Sequence, residues 1–128
     1  MSDGTDSDPG EVERLKAQMW KKPFFIMLRK NLRIEKSPAL MLEHYRWIIG
    51  LEKRGVVFAS GPTFERSSTL GEGMTVFRVD SFEAAEELAA GDPFVRDGAV
   101  SYEIRKWQIN EGRMVLTVDF SDLSAAPS

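Results

Sequence analysis

The chain has 128 residues, 42% of them hydrophobic and 29% charged, enough for one packed core and too few for two ordinary domains. Its net charge of −3 is a poor start for nucleic-acid binding, which draws its affinity from lysines and arginines that neutralise phosphates. With no cysteine and one histidine, His44, the chain offers no disulfide, thiolate nucleophile, cysteine-rich zinc site or multi-histidine metal centre, so no metal site is expected.

The opening stretch, Met1 to Asp8, is acidic and lacks the basic-then-apolar order of a secretory signal. Apolar runs such as Phe24 to Leu28 fall far short of the roughly 20 residues that span a bilayer, so a cytoplasmic protein without a membrane segment is expected. Residues 1–10 are too polar to bury anything and read as a disordered acidic tail. In the segment 11–22, Val12, Leu15, Met19 and Trp20 recur at the spacing of a short amphipathic helix, an N-terminal extension ended by Pro23. The main domain is expected over 23–107.

Phe24 to Arg29 is apolar on both alternating faces, as a strand covered on two sides is. Ser37-Pro38 predicts a helix start, with a capping hydroxyl followed by proline where no N–H partner is lost. That helix runs to Arg54, with Leu40, Trp47, Ile48 and Leu51 on its apolar stripe and Gly55 as its stop. Val56 to Ser60 predicts a second strand closed by Gly61-Pro62, and Gly73 to Val79 a third. Asp80-Ser81 caps a second helix, Phe82 to Ala90, with Ala85, Leu88 and Ala89 inward, and Gly91-Asp92-Pro93 ends it. Ala99 to Trp107 alternates as a fourth strand. In a C-terminal extension, 108–128, a fifth strand over 114–120 is expected to hairpin back.

The order β-α-β-β-α-β predicts an α+β, ferredoxin-like fold: a four-stranded antiparallel sheet with both helices on one face. The other face would then present a large apolar patch, so a homodimer through the sheet faces is expected.

His44 lies four residues after Leu40 and four before Ile48, which places its ring on the sheet-facing stripe, where it is either a hydrogen-bonded core residue or a proton carrier. Asp92 either caps a turn or holds the imidazole as the acid of a hydrolase triad does. At about 1.5 Å per residue, helices that start level bring His44 and Asp92 to similar heights. Ser60-Gly61-Pro62, at the end of the second strand, either simply terminates that strand or offers a hydroxyl and a kinked backbone to a ligand. Arg46 and Arg66 are candidates to pair with an anionic substrate, whereas Glu72, Glu83, Glu86 and Glu87 read as solvated charges. Gly71-Glu72-Gly73 precedes a strand rather than opening a helix, and no P-loop lysine follows, which argues against nucleotide binding.

The ordered set Phe24-Phe25-Ile26-Met27-Leu28, Leu42-Glu43-His44-Tyr45-Arg46-Trp47, Ala59-Ser60-Gly61-Pro62, Gly73-Met74-Thr75-Val76, Ser81-Phe82-Glu83-Ala84-Ala85, Asp92-Pro93-Phe94 and Trp107 resembles the YCII-related (YciI-like) family. The resemblance covers about Pro23 to Trp107. It implies a dimeric ferredoxin-like α/β barrel fold similar to muconolactone isomerase, and a proposed His-Asp dyad that carries over to His44 and Asp92. It further implies a cofactor-independent small-molecule enzyme working by proton transfer, an isomerase or a dehydrochlorinase-like lyase, with Ser60, Gly61, Pro62 and Phe94 against the substrate. A non-catalytic small-molecule-binding or assembly module of the same fold is the alternative. Neither reading calls for nucleic acid or a membrane as partner.

Overall fold

The computed structural model describes residues 8–122 and 124–127, so residues 1–7 of the expected tail lie outside it. In chain order the elements are α1 (Pro9–Gln18), β1 (Lys22–Asn31), α2 (Pro38–Lys53), β2 (Val57–Thr63), β3 (Glu72–Phe77), α3 (Phe82–Ala90), α4 (Pro93–Arg96), β4 (Val100–Ile109), β5 (Leu116–Asp119) and β6 (Ser124–Pro127). The chain divides into two compact units, Pro23–Gln108 and the segments that flank it.

Pro23–Gln108 folds as the ferredoxin-like α+β arrangement, with its strands in the order β2-β3-β1-β4 in one antiparallel sheet. Pairing of Phe25 with Phe77 and of Met27 with Thr75 sets the pleat, so that these side chains share one face. Leu51 of α2 and Ala85 and Ala89 of α3 pack onto that face against Phe25, Met27 and Phe77. Complete burial of each phenylalanine stabilises the fold by about 1.5–3 kcal/mol. Small residues on α3 let its backbone lie close to the sheet. A second cluster, Leu40, Phe94, Ala99 and Val100, joins α2 to α4 and the start of β4. Ile26, Leu28 and Met74 lie on the opposite sheet face and are half-buried.

Helix boundaries follow their caps. Ser37 Oγ accepts from the Leu40 amide at 3.1 Å and Ser81 Oγ from the Ala84 amide at 3.0 Å, closing the N-termini of α2 and α3. Gly55, at φ +77°, ends α2 in the left-handed conformation that a side chain disfavours.

The structure departs from the sequence expectations at several points. Helix α1 begins at Pro9, capped by Asp8, and stops at Gln18 rather than Lys22, and none of its residues is buried. Strand β2 does not close at Gly61-Pro62 but carries both within it, pairing Pro62 with Gly73. Its place at the sheet edge explains this, since a proline there removes no ladder donor. Strand β5 does not hairpin back onto β4; it pairs with β6 in a separate two-stranded sheet, Leu116 opposite Pro127. All four residues of β5 are exposed, so no buried face fixes a register against the main sheet, and β6 is the strand next to it in the chain.

Candidate active site

Three elements meet around one fully buried carboxylate. Asp92 is the N-cap of α4, and its Oδ1 accepts from the Phe94 amide at 2.9 Å. The same oxygen lies 2.8 Å from His44 Nδ1 on α2, and Oδ2 accepts from Arg29 Nε on β1 at 2.7 Å. Asp92 has 0% of its surface exposed and Arg29 6%. Burial opposes the charge on Asp92, and the hydrogen bond from His44 together with the Arg29 guanidinium outweighs it, holding the carboxyl below the usual aspartate range. An ionised carboxylate only accepts hydrogen bonds, so the bond to His44 assigns the ring hydrogen to Nδ1. Nε2 makes no hydrogen bond among the described residues.

The ring plane is fixed as well. Phe94 stacks on His44 with centroids 3.9 Å apart and planes within 6°, while Trp47 lies 5.8 Å away. Asp92 thus acts twice, binding Nδ1 and, as cap, delivering Phe94 two residues later to the ring.

Beyond Arg29 the network continues across the sheet. Arg29 Nη1 donates to Thr75 Oγ1 on β3 at 2.9 Å, and Thr75 Oγ1 lies 2.8 Å from Ser60 Oγ on β2. Ser60 reaches that side of the sheet because of a bulge. Val57 pairs with Phe77 and Ala59 with Val76, so Phe58 is an extra residue. Without it Ser60 would face the side of Met74, because a one-residue slip reverses every side chain. Gly73 makes room for the arginine, as a Cβ there would sit 3.0 Å from Arg29 Cδ.

A cavity of about 580 Å³ lies over this network, within the range of small-molecule sites. Met41, Tyr45, Ile48 and Ile49 of α2 and Phe58 of β2 supply apolar wall; Arg29, Lys36, His44, Ser60 and Glu72 supply polar groups. Lys36 Nζ sits 5.2 Å from the Phe94 ring centroid and donates to Asn31 Oδ1 at 3.1 Å. Partial burial and the nearby Arg33 charge push its ammonium below the usual lysine range.

Of the residues singled out from sequence, His44, Asp92 and Phe94 are brought into contact, and His44, Phe94, Ser60, Gly61 and Pro62 line the cavity. Arg46 and Arg66 do not line it; Arg29 and Lys36 are its cations. Glu72 is no solvated surface charge, since it lines the cavity and accepts the Asn31 amide at 2.9 Å. Sequence reasoning passed over Arg29 and Thr75. A charged residue directly after the apolar run Phe24 to Leu28, in phase with Phe25 and Met27, is the signal for Arg29.

The YCII-related domain matches residues 23–108, and the chain belongs to that family. Among curated proteins none matches the chain significantly. A solved structure similar to this chain is that of the 5-chloro-2-hydroxyhydroquinone dehydrochlorinase of Burkholderia phenoliruptrix in complex with 2,5-dihydroxybenzoquinone. It is 16% identical, with a TM-score of 0.49, covering 66% of this chain and 92% of that one.

Proposed function

We propose that this YCII-related protein is a cofactor-independent enzyme that moves a proton on a small organic molecule, with His44 as general base or acid and Asp92 as the carboxylate that orients it. The observation that carries the reading is the single histidine at the cavity wall, tied through Nδ1 to a buried, arginine-held carboxylate, with Nε2 unused among the described residues. In this reading Nε2 exchanges the proton, because Nδ1 is committed to Asp92.

In the forward direction Nε2 takes a hydrogen from a carbon beside a carbonyl. The C–H bond breaks, an N–H bond forms, and the freed electron pair moves onto the carbonyl oxygen. Asp92 balances the charge gained by the imidazole. Return of that proton to another carbon gives isomerisation, and loss of an anionic leaving group gives elimination, so one site serves an isomerase or a lyase. The mainly apolar wall from Met41 to Ile49 suits a cyclic or aromatic-derived body, and Ser60, Gly61, Pro62 and Phe94 are the proposed contacts to it.

The same reading pairs two copies through their sheet faces, covering the half-buried Ile26, Leu28 and Met74, which sedimentation of the full chain tests directly.

The test of the site uses the fact that the protein has one histidine. The His44 ring is titrated by NMR in the wild type and in Asp92→Asn, alone and with a panel of small cyclic ketones, enols and phenols. A titration altered by Asp92→Asn and a ring perturbed by a panel member support the site. Identical titrations and a ring indifferent to every compound overturn it.

A further inference from the structure

Hydrogen-bond directions across the sheet carry information about what the cavity binds. A guanidinium N–H can only donate, so Thr75 Oγ1 accepts from Arg29 Nη1. Thr75 has 0% of its surface exposed, and among the described residues its hydroxyl has one remaining neighbour, Ser60 Oγ at 2.8 Å. If Ser60 donated to Thr75, the Thr75 hydrogen would be buried without an acceptor, an arrangement that buried hydroxyls avoid. Thr75 therefore donates to Ser60. Both hydroxyls are then committed in one direction, from the buried arginine outward, and the Ser60 hydrogen is the one left over. Ser60 is exposed and lines the same cavity as His44.

We infer that Ser60 is the hydrogen-bond donor of an oxyanion subsite, aimed by Thr75 and polarised by Arg29, and that the ligand class is an enolate or phenolate and the carbonyl compounds that become one. A chain of donors that begins on a cation strengthens its last member toward negative oxygen. The bulge at Phe58 gains a purpose in this account, because it alone turns Ser60 to the side of Thr75. The inference rests on the proton-transfer reading for its chemistry: charge that arises when His44 removes a proton collects on the oxygen that Ser60 contacts. It adds the second half of the site, an electrophile to match the base.

The test reads the ionisation of a probe rather than turnover. 4-Nitrophenol absorbs visibly only as its phenolate, so its apparent pKa in the presence of saturating protein reports how much more tightly the anion binds than the neutral phenol. The full-length wild type should lower that pKa by about one unit or more, a preference of roughly tenfold. Ser60→Ala should abolish most of the preference and, although it takes the acceptor from the Thr75 hydroxyl, leave the protein folded. Thr75→Ser keeps the hydroxyl relay and should keep the preference; Thr75→Val should lose it although Ser60 remains. Thermal unfolding of each variant checks that it is folded, and Thr75→Ser carries the comparison if Thr75→Val is not.

Failure to bind the probe saturably at millimolar concentrations overturns the subsite. So does an unchanged preference in Ser60→Ala. Neither result touches the His44 titration, so the subsite and the His44–Asp92 reading fail separately.

Discussion

Replacing Asp92 with asparagine keeps the side-chain shape and removes the charge on which three donors converge. The asparagine oxygen can still accept from the Phe94 amide, but its NH2 must then face a second donor, Arg29 Nε, in place of an acceptor 2.7 Å away. Arg29 is 6% exposed, and its Nη2 has no partner among the described residues, so little of the lost bond is recovered from water. Stranding one charge of a buried pair costs about 3–5 kcal/mol, a large part of the roughly 5–15 kcal/mol that holds a domain of this size. Removing the arginine too reverses most of that. Arg29→Met fills similar volume with apolar atoms, and replacing a whole buried pair by well-packed apolar groups is often neutral. The double variant Arg29→Met/Asp92→Asn should therefore be more stable than Asp92→Asn alone, with a coupling of about 2 kcal/mol or more. Urea unfolding followed by tryptophan fluorescence measures all four proteins. An Asp92→Asn cost below about 1 kcal/mol, or a double variant whose loss equals the sum of the single losses, refutes the account of a charge stranded by its partner.

The same carboxylate sets an acid limit on stability. Its folded-state pKa lies below the ordinary aspartate value, so its contribution is complete above that value and is lost as pH falls through the folded one. Urea midpoints of the wild type should consequently fall, as the solution is acidified below the ordinary aspartate range, more steeply than those of Asp92→Asn; parallel profiles would remove Asp92 from the explanation. Gly73→Ala places a methyl 3.0 Å from Arg29 Cδ, and should cost about 1–3 kcal/mol and move the His44 ring resonances through Asp92. Gly61→Ala, whose methyl meets nothing within 4 Å, serves as its control in the same spectra. Ser37→Ala removes the cap of α2 and should lower stability by about 1 kcal/mol in the same urea assay.

Local chemistry explains which parts of this arrangement were legible in the sequence. Caps, prolines and apolar stripes act over a few residues, so α2 and α3 were readable nearly to their ends, and the stripe carried His44 inward with Leu40 and Leu51. The cap-and-proline signal that marks α2 at Ser37-Pro38 is repeated at Asp92-Pro93, where it opens α4; the sequence reading took it as the end of α3. Strand register is a relation between distant segments, and nothing in Val57 to Thr63 announces that Phe58 is the residue to be left over. The face on which Ser60 falls was for that reason beyond reach. Arg29 and Thr75 were hidden differently: each sits in an apolar alternation, and their meaning comes from partners 63 and 46 residues away from Arg29.

A buried ion pair is a weak source of net stability, since an apolar set of equal volume does as well. What Arg29 and Asp92 supply that methionine and asparagine cannot is position. The carboxylate has two oxygens and three donors, one from β1, one from α2 and one from the first turn of α4, so its geometry ties three elements to one point. The His44 ring is the part most sensitive to that lock, held in its plane by Phe94 and in its tautomer by Asp92. Stability and orientation should therefore separate in Arg29→Met/Asp92→Asn: unfolding energies return toward wild type, while the His44 ring loses the carboxylate that assigns its proton. A site built for chemistry requires that separation, whereas a histidine kept only for packing would recover along with the fold.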